Sequence, residues 1–226
     1  MPICKPSYRS IFVSPLCYEM IMKDKTNDII EKATALFRQN GLHSVSMDNI
    51  ASYAGISKKT LYEHFQSKEM LVNMVVDKII SKTSNYLFLC PDISPNAIIE
   101  IENFSSYLNN ILGILTPAFV RSLKKYYPDA YLQLGVFRDN SIIPFIERCL
   151  QRGIAEEIFR PDIDKANVGW LYCWQIQSAL GSDIAQADIH KIIEKTNMLF
   201  LHSILNTKGV KLLNMKKEKE NIKQDN

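Results

Sequence analysis

Three side chains in one short stretch have the types and spacing to read a nucleic acid. In SMDNIASYAGISKKTLYEHF, residues 46–65, Lys58 and Lys59 stand side by side and Tyr62 follows one helical turn later. Ammonium groups at the start of a helix can donate to guanine O6 and N7 in a major groove, or to a nearby phosphate. A phenol one turn on can donate to a phosphate while its ring covers a sugar or a thymine methyl. Other chemistry finds no footing. The chain carries no phosphate-binding loop, no dinucleotide-binding glycine motif, no HExxH and no nucleophile elbow. His43, His64, His190 and His202 are too widely spaced for a metal site. The reading therefore includes no catalytic residue, no metal and no cofactor.

The elements that must hold those side chains are also legible. Ser46 is a good N-cap for a helix carrying Ile50, Ala51 and Ala54 on one face. Gly55 stands where a positive φ stops that helix, and Ser57 caps the next one. Leu61 and Phe65, four residues apart, anchor the second helix and leave Lys58, Lys59 and Tyr62 outward. Two helices across a short glycine turn make a helix-turn-helix, whose second helix reads base edges. Upstream, IIEKATALFRQN predicts a helix ended by Asn40-Gly41. Downstream, Ser67-Lys68-Glu69 starts another, with its cap and first-turn acid in favoured places.

The arrangement of helix, glycine, helix-turn-helix and TLYEHFQSKEML resembles the DNA-binding domain of TetR-type (TetR/AcrR) transcriptional regulators over residues 23–83. Thr60, Leu61, Tyr62, His64, Phe65, Ser67, Lys68 and Glu69 carry the likeness. FRPDID at 159–164 is a weaker echo, similar to the family's link between two late helices. The resemblance implies an all-α fold: an N-terminal three-helix domain (23–83), then a larger C-terminal helical ligand-binding and dimerisation domain (84–207). It implies a homodimeric repressor on a near-palindromic double-stranded DNA operator, released by a small-molecule effector. Thr60, His64 and Lys68 match positions that grip phosphates, and the amides capped by Ser46 favour a phosphate there. The expected DNA-facing set is Ser46, Ser57, Lys58, Lys59, Thr60, Tyr62, His64 and Lys68. Asp48 and Glu63 depart from a purely basic surface.

Composition agrees without deciding. A net charge of +3 over 226 residues is only mildly basic, so the nucleic-acid reading rests on where the lysines stand. Five scattered cysteines with no CxxC spacing point to reduced thiols and a cytoplasmic location. No apolar run approaches the roughly 18 residues of a membrane span. Residues 1–22 are expected to be a disordered arm or an untranslated leader, with Met20 or Met22 as the start. The charged segment 208–226 is expected to be a flexible tail.

Helices are expected over 67–89, 95–115, 117–127, 129–152 with a kink at Pro144, 164–180 and 187–206. The last two carry the dimerisation argument. Gly169, Cys173, Ile176 and Leu180 make one stripe, Trp170 and Trp174 a second, and Ile189, Ile193, Thr196 and Phe200 a third, which Met198, Leu201 and Leu205 broaden. Phe104, Tyr107, Leu108, Phe119, Tyr131 and Phe137 form a candidate apolar lining for a ligand. Two alternatives stand beside this reading. One is a non-specific architectural DNA-binding protein; the other is a helical enzyme using the C-terminal pocket.

Overall fold

The computed structural model describes residues 15–182 and 186–224, and their regular structure is helical throughout. Eleven helices follow in chain order among the described residues: α1 (Pro15–Asn40), α2 (Met47–Ala54), α3 (Lys58–His64), α4 (Lys68–Leu89), α5 (Ala97–Leu112), α6 (Pro117–Tyr126), α7 (Pro128–Phe137), α8 (Ile143–Ala155), α9 (Lys165–Gly181), α10 (Gln186–Ile204) and α11 (Thr207–Gln224). Their starts are set by short polar side chains that accept from otherwise unpaired amides. Ser46, Ser57, Ser67, Asn96, Thr116 and Asp164 cap α2, α3, α4, α5, α6 and α9 in this way. Asp164, from the FRPDID echo, accepts from the Asn167 amide.

Two cores share α4. The first gathers Ile29, Phe37, Ile50, Leu61, Phe65 and Val72 from α1 to α4. It also takes in Phe119 and Leu123 from α6 and Ala130 from α7, so the helix-turn-helix head is finished by residues from the C-terminal half. The second core packs α5, α8, α9, α10 and α11 around Phe104, Phe145, Leu150, Phe159 and Ile204. Here Glu100, only 2 % exposed, accepts from the Arg152 guanidinium at 2.7 Å. Arg152 also donates to the Pro91 and Ser94 carbonyls, pinning the α4–α5 link onto α8.

The segment expected as one kinked helix over 129–152 is α7 and α8 joined by a π-helical turn, Arg138–Ile142. Pro144 has no amide hydrogen to give the Asn140 carbonyl, and the Ile143 amide bonds back to Arg138 instead. The proline thus widens the helix one turn ahead of itself.

Two end segments differ from expectation. Residues 15–22 belong to α1, whereas 1–14 lie outside the described residues. The supposed tail is α11. Asn206 accepts from the Gly209 amide at its start, Leu213 is buried, and Lys216 reaches Glu102 of α5 at 2.8 Å. Gly209 lies so close to the Ile158 carbonyl that any side chain there would collide with it.

Candidate nucleic-acid interface

The turn between α2 and α3 has the expected geometry. Ser46 accepts from the Asn49 amide at 3.1 Å, while Asn49 Oδ1 accepts from the Ser46 amide at 2.8 Å, a reciprocal cap. Gly55 takes φ 69° and its amide bonds back to Ser52 at 3.1 Å, a left-handed position that favours glycine. Ser57 accepts from the Thr60 amide at 3.0 Å and pairs with the Thr60 hydroxyl at 2.9 Å. Leu61 and Phe65 are fully buried, so they set the rotation of α3 about its axis. Lys58, Lys59 and Tyr62 therefore stand outward, Tyr62 with 48 % of its surface exposed.

The remaining members of the expected set are more committed than their sequence positions suggested. Lys58 Nζ lies 2.6 Å from the Asp48 carboxylate of α2. Lys59 has no ion-pair partner among the described residues. His64 Nδ1 and the Thr26 hydroxyl of α1 are 2.9 Å apart, fixing the end of α3 to the first helix. Lys68 turns its ammonium inward, donating to the Leu42 carbonyl at 2.6 Å and His43 at 3.4 Å, above the Phe37 ring. Burial holds its pKa below the ordinary lysine value. Of three ammonium donors, two point at backbone and one is left for anything outside. Sequence reasoning missed Thr26 and the backbone carbonyls because these partners lie 38 and 25–26 residues away.

In the C-terminal half, the stripe of Gly169, Cys173, Ile176 and Leu180 faces inward within the chain. Gly169 is buried against Ile143 and Ile146 of α8, and the other three line a cavity of about 630 Å³. The outward face of α9 is instead Trp170, Leu171 and Trp174, each more than half exposed, with Leu199 of α10 at 66 %. On α10, Ile189, Ile193, Phe200 and Leu201 face inward, and Leu205 just past its end is buried as well. Of the proposed apolar lining only Leu108 and Tyr131 reach the cavity. Phe104 and Phe119 are fully packed, Tyr107 stacks on Tyr86 with ring centroids 3.8 Å apart, and Phe137 packs on the C-terminal core. No cluster of His, Cys, Asp or Glu among the described residues could hold a metal ion. None of the described helices is long and apolar enough to cross a membrane.

An all-helical chain with this turn, these caps and this exposed second helix is a helix-turn-helix protein. Residues 29–75, which hold that turn and its flanking helices, match the profile of the bacterial regulatory proteins of the tetR family. It is 27 % identical over 139 residues to the HTH-type transcriptional regulator YvaF of Bacillus subtilis, covering 60 % of this chain and 72 % of that one. It is 31 % identical over 114 residues to the biofilm operon icaADBC negative transcriptional regulator IcaR of Staphylococcus aureus. That match covers 50 % of this chain and about half, 54 %, of IcaR. Among solved structures, a TetR-family regulator from Agrobacterium tumefaciens superposes with a TM-score of 0.66 at 16 % identity, covering 82 % of this chain and all of that one. The reduced form of NemR from Escherichia coli gives 0.67 at 16 %, covering 81 % and 98 %. At such identity the structures share the fold alone.

Proposed function

We propose that the protein is a ligand-released homodimeric repressor that reads a near-palindromic DNA operator with α3. One observation carries this: Leu61 and Phe65 are buried on one side of α3 while Lys58, Lys59 and Tyr62 stand exposed on the other. On DNA, Lys58 or Lys59 would donate to base edges, and Tyr62 to a phosphate. Ser46, Ser57, Thr60 and His64 would frame the backbone on either side, with Lys68 contributing its remaining donor. IcaR, a relative by sequence, is a negative transcriptional regulator, which favours repression over activation.

The partner copy would cover Trp170, Leu171, Trp174 and Leu199, since a patch of that kind is costly to leave in water. Two heads on one two-fold axis would then place their α3 helices about 34–36 Å apart. Release would run through α6. Val120 on this helix lines the cavity, while Phe119 and Leu123 are sealed in the core of the head. The last residue of α6, Tyr126, stacks on His43 of the head at 4.6 Å. A molecule that fits the cavity in only one position of α6 would bias the head through that difference in affinity.

The test is selection of genomic fragments by purified protein at near-physiological salt, followed by footprinting. A shared near-palindrome with two protected half-sites supports the reading. Retention of fragments with no common sequence would instead mark an architectural DNA-coating protein.

A further inference from the structure

The cavity beside α6 carries information about the molecule that fills it, an inference resting on the proposed effector role of the C-terminal bundle. At about 630 Å³ it lies within the range of small-molecule sites, and most of its wall is aliphatic or aromatic. Among the described residues, Arg138 is the lone cation in the lining, and its charge is already engaged. Its Nε donates to Asp139 Oδ1 at 2.7 Å and one terminal nitrogen to Oδ2 at 3.0 Å. The other terminal nitrogen donates to Gln177 Oε1, and Gln177 in turn donates to the Tyr131 hydroxyl at 3.4 Å. A second carboxylate, Asp129, lies exposed at the rim.

We propose that this cavity takes an uncharged, mainly apolar molecule whose one hydrogen-bonding group docks on the Arg138–Gln177–Tyr131 strip, and that it excludes organic anions. An anion would have to displace Asp139 from a two-point grip on Arg138 or sit unpaired beside two carboxylates. An organic cation fares little better. Asp139 is occupied, Asp129 is in water, and the ammonium would lose its hydration against an apolar wall. A hydroxyl or carbonyl meets neither cost, because the strip offers it both donors and acceptors. The strip owes its place to the backbone. Arg138 and Asp139 are consecutive residues of the π turn that Pro144 imposes between α7 and α8.

The probes are 1-decanol, decanoate and decylammonium, titrated calorimetrically at neutral pH into the full chain without DNA. Decanol should bind, and decanoate and decylammonium should each bind roughly tenfold or more weakly. Asp139→Asn frees the Arg138 charge and should raise decanoate affinity by roughly tenfold while leaving decanol within about twofold. Gly135 lines the cavity with open space beside it, so Gly135→Leu should fold and yet lose decanol binding. A charged probe matching decanol in the wild type would overturn the proposal. So would binding of no probe, or decanol binding that survives Gly135→Leu. With no DNA in the cell, failure here leaves the operator reading intact. Loss of fragment retention with decanol binding preserved would fault the operator reading alone.

Discussion

The Lys58 ammonium lies 2.6 Å from the Asp48 carboxylate, tying the first turn of α2 to the first residue of α3. Both side chains are more than half exposed, so the pair adds little to stability, on the order of 0.2–1 kcal/mol. Its consequence lies in binding. A lysine that contacts DNA must share or leave its carboxylate, and the carboxylate itself repels phosphate. Asp48→Asn should therefore strengthen binding to operator and random DNA alike by several-fold at low salt, and less at high salt. Its Tm should stay within about two degrees of wild type. Fluorescence anisotropy at two salt concentrations, with a melting curve, checks both.

Lys68 should behave differently from Lys59 although both are lysines near the proposed interface. Lys68→Met removes a charged donor from the Leu42 and His43 carbonyls, so a loss of about 1–3 kcal/mol is expected. At roughly 2–4 °C per kcal/mol for a chain of this size, thermal unfolding registers it readily. Lys59→Met should leave Tm unchanged and weaken DNA binding. The reverse pattern would mean that Lys68 points outward in solution.

Phe119 belongs to α6, yet its ring is 1 % exposed within the core of the head. Phe119→Ala should cost about 3–5 kcal/mol and weaken DNA binding, although the residue lies more than fifty positions beyond α3. Calorimetry should show one lowered transition. A second transition that stays at the wild-type temperature would mean that the head and the bundle unfold independently.

Burial pushes the Cys173 thiol up to about 12 and the Cys149 thiol upward as well. An unfolded thiol ionises near pH 8.5, so above that pH the unfolded state holds fewer protons than the folded one. The stability they contribute is complete below about pH 8.5 and is lost as pH rises toward the folded value. Tm should fall between pH 8 and 10, and a Cys149→Ala, Cys173→Ala variant should show a shallower fall. Parallel slopes would mean that other groups set the pH dependence.

Much of the head is local chemistry and is legible in the sequence. Ser46, Ser57 and Ser67 accept from amides three residues on, and Gly55 donates its own amide to carbonyls three and four residues back, so spacing alone exposes them. The buried pair Leu61 and Phe65 follows from helical periodicity. The features that are not legible depend on distant partners. Lys68 faces backbone 25–26 residues away, and Lys216 pairs with Glu102 across 114 residues. Helix α11 is hidden for a related reason. Its polar sequence places Leu213 in the C-terminal core, and no amphipathic pattern announces so sparse an anchor. On α9, periodicity marks two apolar stripes but does not say which faces α8 and the cavity and which faces outward.

The most direct measurement is the affinity ratio between the footprinted site and a random duplex of equal length, at one fixed salt concentration. Wild-type protein should prefer the site by roughly 10³-fold or more, and Lys58→Ala or Lys59→Ala should shrink that preference. A ratio near one, with affinity falling steeply as salt rises, would contradict sequence reading by α3.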